Sequence, residues 1–148
     1  MTLPKTNEQS DLPPGVHQVT LQEISERFGG KTTRRHLLML RLERIYKLVI
    51  ETGHLARFIV FGSFTTAKAE PNDVDIFLLM EDSFDFDQTS GETRLLFDHR
   101  TAQDYFGCSV FWIRRLAAFD GERATIEHWQ IKRDGKLRGI IEIVLEVS

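Results

Sequence analysis

Two apolar runs, residues 57–61 (Arg-Phe-Ile-Val-Phe) and 74–80 (Val-Asp-Ile-Phe-Leu-Leu-Met), stand on either side of the short polar stretch 62–72. Runs of this length, rich in β-branched and aromatic residues and bounded by Gly62-Ser63 and Pro71-Asn72, read as buried strands rather than helix. Gly62 permits a sharp exit from the first strand. Asp73 and Asp75 lie two residues apart where the second strand begins, so the pleat points both side chains to one face. Phe77 and Leu79 carry that face into the core, which sets the two carboxylates at the mouth of the strand.

Two carboxylates so close together concentrate negative charge, an unfavourable arrangement unless a cation compensates it. Hard oxygen ligands select Mg²⁺ or Mn²⁺, and Mg²⁺ takes its remaining ligands from water and substrate phosphates. Ser63 offers a hydroxyl and a backbone N–H to a phosphate oxygen. Gly-Ser and Asp-x-Asp each also fit a blander reading, with Asp73 capping the Pro71-Asn72 turn and Asp75 a solvated strand end. Their order (strand, Gly-Ser, short polar loop, Asp-x-Asp, strand) is what selects a nucleoside triphosphate site.

The other elements follow from capping and periodicity. Residues 1–11 have few apolar side chains and read as a flexible tail; residues 12–148 read as one domain. Leu12-Pro13-Pro14-Gly15 is a rigid turn. Thr20 and Glu23 form a capping box ahead of a short helix that ends near Gly29-Gly30. Thr32 or Thr33 caps a longer helix to about Thr52, with Leu38, Leu42, Ile45 and Val49 as its apolar stripe and Gly53 as its stop. Residues 83–91 read as an exposed acidic loop, 92–106 as one helix, 108–113 as a third strand and 121–130 as a further helix. Asp134-Gly135 is a turn, and 139–147 a β-branched closing strand. This alternation predicts an α/β (α+β) fold, a small mixed sheet flanked by helices.

At the Gly-Ser and Asp-x-Asp residues the chain resembles the nucleotidyltransferase superfamily of DNA polymerase β and kanamycin nucleotidyltransferase. Members share a Gly-Ser turn, an Asp-x-Asp strand and a third carboxylate on a later strand. The likeness extends to Leu12-Pro13-Pro14-Gly15, to Phe61 through Lys68, to Pro71 through Ile76 and to Lys132 through Glu142, and looks like that of a small bacterial family within the superfamily. It implies two-metal phosphoryl chemistry, the transfer of a nucleoside monophosphate from a triphosphate to an acceptor. Asp73 and Asp75 would be the catalytic metal ligands. Gly62 and Ser63 would form the nucleotide-binding turn, and Lys68 would help neutralise the phosphates, although a flexible exposed lysine is the commoner role. The chain is read as carrying no acceptor-binding domain, so a partner or second copy would complete the site, or the acceptor would itself be a protein. Small relatives in the superfamily work in bacterial toxin–antitoxin pairs, a role that the resemblance extends to this chain.

The pattern breaks at the third carboxylate, because residues 108–113 contain neither Asp nor Glu and Ser109 occupies the expected position. Three outcomes are open: Asp98 or Asp104 reaches in from the preceding helix, the site works weakly with one metal, or it is inactive and the fold serves as an interaction module. The five histidines lack zinc-ligand spacing, and Ser63 lacks a nucleophile-elbow pattern. Trp112 and Trp129 read as core. A net charge of −3 argues against a nucleic-acid-coating protein, and the pairs Arg34-Arg35, Arg114-Arg115 and Lys132-Arg133 read as solvated. The lone Cys108 suits a reducing cytoplasm, and no apolar run is long enough to span a membrane.

Overall fold

A computed structural model of the chain describes residues 3–8, 10–118 and 120–145. Five strands, β1 (Gly15–Val19), β2 (Leu55–Phe61), β3 (Asp75–Met80), β4 (Ser109–Arg114) and β5 (Gly139–Ile143), form one mixed sheet in the order β1-β5-β2-β3-β4. The β1/β5 and β3/β4 pairs are parallel; β2 runs antiparallel to both β3 and β5. Five helices accompany it: α1 (Leu21–Phe28), α2 (Thr33–Glu51), α3 (Gly91–Leu96), α4 (His99–Phe106) and α5 (Glu122–His128). This is the mixed α/β (α+β) architecture expected. Among the described residues no helix is long and apolar enough to cross a membrane.

Strand alternation divides the core in two. Phe58, Val60, Val74, Ile76, Leu78 and Val110 face a large cluster completed by Ile24, Phe28 and the α2 stripe of Leu38, Leu42, Ile45 and Val49. Ile59, Phe61, Phe77, Leu79 and Ile140 face a smaller cluster with Ile126 of α5, and Trp129 and Phe111 pack against it. Asp75 belongs by parity to this second, thinly covered face. Across the sheet, Arg57 on β2 donates from Nε to Glu142 Oε2 on β5 at 2.9 Å. That pairing satisfies a carboxylate buried to 9% exposure.

The expected caps form. The Thr20 hydroxyl accepts from the Glu23 N–H and the Glu23 carboxylate accepts from the Thr20 N–H, and Thr32 caps α2 through the Arg35 N–H. The helix expected over 92–106 is instead two, because Asp98 accepts from the Thr101 N–H and restarts the helix as an N-cap. Strand β1 was not legible in the residues after Pro14: it exists through parallel pairing with β5, more than a hundred residues away. The last of the strand expected over 139–147 lies outside the described residues. Residues 3–8 and 10–11 depart from a flexible tail. Leu3 is buried, its carbonyl accepts from Arg27 at 3.2 Å, and Asp11 pairs with Lys132 at 2.8 Å. Nor is 83–91 simply exposed, for Phe84 packs edge-on against Trp112.

The first turn of α2 holds the loop between β2 and β3. Thr32 donates to the Ala69 carbonyl, and Arg34 to the carbonyls of Pro71 and Asn72 at 2.8 and 2.9 Å. Arg35 is 3% exposed, not solvated as its pairing with Arg34 implied. Its guanidinium donates to the carbonyls of Phe28, Phe64, Thr66 and Lys68 at 2.7–3.2 Å. A planar fork of five N–H groups suits a curved loop that presents its carbonyls inward. The Phe28 and Phe64 rings flank it at 5.8 and 5.4 Å. Burial holds the Arg35 pKa below its ordinary value, with Glu70 acting in the opposite direction. Replacing Arg35 with Met should leave buried carbonyls unsatisfied and cost roughly 2–4 kcal/mol in urea unfolding, with Lys recovering little of it. A cost within experimental error would show that the loop is held by other means.

Candidate functional site

Gly62 leaves β2 with φ +84° and ψ −161°, a conformation that L side chains rarely adopt. An added Cβ would lie 2.0 Å from Asp75 Oδ2, so the bare backbone of the turn is what leaves room for the carboxylate. The contact follows from register, since Phe61 pairs with Asp75 across the β2/β3 ladder. Ser63 comes next, half-buried at the start of a single 3₁₀ turn that runs to Thr65 and is closed by the Thr65 hydroxyl on the Gly62 carbonyl at 3.0 Å.

On the other side of Asp75, the β3/β4 ladder sets Ser109 directly opposite. The Ser109 hydroxyl donates to Asp73 Oδ2 at 3.0 Å, which joins both aspartates to the third strand through a neutral group. Burial and the neighbouring Asp73 carboxylate raise the Asp75 pKa from 3.8 to about 6, against the opposing pull of Arg138, Ser109 and Arg133. Gly62, Asp73, Asp75 and Ser109 are thus gathered at one end of the sheet. Beside them, buried Cys108 is pushed up to about 12, chiefly by desolvation, which makes it a packing residue rather than a nucleophile.

Asp75 forms part of the floor of an open cleft of about 720 Å³. Phe61, Ser109 and Phe111 continue the floor, α4 contributes His99 and Gln103, and α5 and the residue after it contribute His128 and Trp129. The remaining wall is a hairpin whose Ile131 and Leu137 are bridged, bringing in Arg133 and Arg138. A volume of this size accommodates a nucleotide-sized ligand. The His99 ring stacks on Phe111 at 4.6 Å, with its Nδ1 3.1 Å from the Val110 carbonyl. A carbonyl only accepts, so Nδ1 is the donor in this contact.

Lys68 is not brought to the site. It is exposed and absent from the cleft wall, and its carbonyl is held by Arg35. Ser63 and Asp73 adjoin the cleft through Gly62 and Ser109 without lining it. Neither candidate for the third carboxylate reaches in: Asp98 is spent on its helix cap, and Asp104 is exposed while the same helix turns His99 and Gln103 to the cleft. Among the described residues no three His, Cys, Asp or Glu side chains gather closely enough to hold a metal. A divalent cation here would have only the aspartate pair as carboxylate donors, which fits an ion that draws its other ligands from water and phosphate. Sequence reasoning missed His99, Gln103, Trp129, Arg133 and Arg138. The one signal among them was the Lys132-Arg133-Asp134-Gly135 turn, which places cations without indicating what they face.

The chain belongs to a family described as a family of unknown function (DUF6932), matched over residues 4–144. No curated protein and no solved structure matches it.

Two expectations follow from this geometry. The folded protein holds an extra proton on Asp75 between the unfolded pKa near 3.8 and about 6, so ionising Asp75 subtracts from stability as pH rises through that window. Metal-free Asp75→Asn should therefore be more stable than wild type at pH 7.5, by roughly 1–3 kcal/mol, and should lose that advantage near pH 4. Chemical denaturation at both pH values checks it; an Asn variant weaker at pH 7.5 would contradict the electrostatic account. Gly62→Ala should lower the melting temperature through both strain and collision with Asp75, and the double variant Gly62→Ala/Asp75→Ala should recover part of the loss.

Proposed function

We propose that this member of the family is a Mg²⁺- or Mn²⁺-dependent nucleotidyltransferase that moves a nucleoside monophosphate from a triphosphate to an acceptor hydroxyl. The observation that carries the reading is the juxtaposition at the mouth of β3, where Asp75 fits against the side-chain-free backbone of Gly62 with Asp73 beside it. A pair of partly buried carboxylates to which, among the described residues, no cationic side chain is hydrogen-bonded is an unfavourable structural device but a suitable cation site.

Asp73 and Asp75 would hold the cation between strand and substrate. When bound, it would supply charge neutralisation to the triphosphate and its pyrophosphate leaving group and lower the pKa of the attacking hydroxyl. The Ser63 hydroxyl and backbone N–H would orient phosphate oxygens, on a loop held from behind by Arg35. In the transfer, the acceptor oxygen bonds to the α-phosphorus as the bond to the bridging α,β-oxygen breaks. Pyrophosphate leaves with that electron pair, and the acceptor's proton passes to solvent. The buried free thiol of Cys108 accords with a cytoplasmic setting.

Ser109 favours a second reading. It stands opposite Asp75, where the resemblance calls for a carboxylate, and its only proton goes to Asp73. A site with a hydroxyl in place of its third carboxylate would suit a fold retained for binding a partner, with no metal-dependent affinity for nucleotide. Thermal melts with each nucleoside triphosphate, with and without Mg²⁺ or Mn²⁺, separate the two. On the enzymatic reading at least one metal–nucleotide pair raises the melting temperature, the rise vanishes with chelator or in Asp75→Asn, and α-³²P label passes to an acceptor in a lysate of the source cells. No shift with any of these pairs would sink it in favour of the interaction module.

A further inference from the structure

The hairpin that walls the cleft carries cations that differ in what they face. Lys132 is spent on Asp11, at 2.8 Å. Lys136 is exposed and lies outside the cleft wall. Arg133 and Arg138 line the cleft beside Asp75, and among the described residues neither guanidinium makes a hydrogen bond or ion pair. Arg138 is the more telling of the two. Its guanidinium lies 5.4 Å from the centre of the Phe61 ring, and its Nε is buried without a partner. Burial pulls its pKa below the ordinary value, while Asp75 and Asp11 act in the other direction. A guanidinium so desolvated normally donates direct hydrogen bonds to an anion, and among the described residues no carboxylate accepts them.

The hairpin is also rigid enough to place these groups. The Lys132 N–H donates to the Lys136 carbonyl at 2.8 Å, the Gly135 N–H to the Lys132 carbonyl at 2.9 Å and the Arg138 N–H to the Gln130 carbonyl at 2.8 Å. Asp134, the acidic residue on the cleft rim, accepts from the Lys136 N–H at 3.0 Å within the turn.

We infer that Arg133 and Arg138 form the polyphosphate seat of this cleft, so that the triphosphate runs from Asp75 toward the C-terminal hairpin and its β- and γ-phosphates lie between the two guanidiniums. The assignment rests on the nucleotidyltransferase reading and deepens it. It moves the phosphate-neutralising role from Lys68 to a part of the chain that sequence spacing does not connect to the Gly-Ser turn. It also sets the direction of the substrate. With the polyphosphate toward β5 and the hairpin, the acceptor enters from the opposite wall, where α4 presents His99 and Gln103. Guanidinium forks match phosphate oxygens in pairs, and the cost of holding Arg138 half-buried is offset when the anion arrives.

The test is calorimetric titration of the full chain with Mg·ATP (or whichever Mg·nucleotide gives the largest thermal shift), Mg·tripolyphosphate and the corresponding monophosphate. Arg133→Gln and Arg138→Gln should each weaken the triphosphate and tripolyphosphate by about 10–100-fold and the monophosphate by less than about 3-fold. Lys136→Gln removes the same charge from the same hairpin away from the cleft, and should change nothing by more than about 2-fold. Arginine variants that bind the triphosphate as wild type does would overturn the assignment while leaving the enzymatic reading intact. Equal losses in Lys136→Gln would overturn it too, by reducing the effect to the general field of the hairpin. Equal losses for monophosphate and triphosphate would make Arg138 a counter-ion of Asp75 rather than a phosphate ligand. If wild type binds no Mg·nucleotide at all, the functional reading falls first and this assignment with it. Melting curves of each variant establish that the fold is retained.

Discussion

A buried guanidinium fixes where the carboxylates stand. Arg35 projects from the first turn of α2 into the concave side of the β2/β3 loop and donates to the carbonyls of Phe64, Thr66 and Lys68 in its first half, while Thr32 and Arg34 take the residues that follow. A loop of this length could not bury its carbonyls without donors. The clamp therefore allows the chain to leave β2 through Gly62, turn, and re-enter the sheet at Asp75 in register with Phe61. The closeness of Gly62 to Asp75 follows from that register and is not a separate feature. The site consequently depends on a helix that contributes no residue to it.

The electrostatics of the cleft run against stability. Asp75 is desolvated and repelled by Asp73, Arg138 is desolvated on the facing wall, and the two charges influence one another without meeting in a hydrogen bond. Cross-strand Arg57 and Glu142, by contrast, are fully engaged with each other. The same sheet thus carries one ion pair that closes and one set of charges held open. Charges held open in a cleft leave electrostatic stabilisation unrealised that an arriving ligand of suitable charge would recover, whereas a folded chain elsewhere neutralises such groups or moves them to water.

Much of the architecture was legible along the chain. The short apolar runs became β2 and β3, the Thr20–Glu23 pattern became a capping box, and the periodic leucines of α2 became the floor of the larger core. These features are local: strand alternation, helix caps and helical period are set by neighbours within a few residues. What was illegible was long-range or depended on parity. Strand β1 has too little hydrophobic pattern to announce itself and exists because β5 offers an edge. Arg35 and Arg34 look alike in sequence, yet successive helix positions differ by about a hundred degrees, so that the first is buried and the second exposed. Lys68 is near the site in sequence and outside it in space, because the clamp turns the loop carbonyls inward and its side chain out.

By itself the sequence determined that a Gly-Ser turn and an Asp-x-Asp pair would sit at adjacent strand ends, since period-two alternation and a short connection leave few other arrangements. It determined equally that no carboxylate would come from residues 108–113, where β4 forms. Only the tertiary structure decided what completes the cleft. Ser109 stands opposite Asp75 because β4 pairs with β3 in one register, and the arginines of a hairpin sixty residues downstream face the same carboxylate because α5 folds back over the thin side of the sheet. Those neighbours are set by how strands and layers pack, a choice made by the burial of the whole apolar surface rather than by any segment's own pattern.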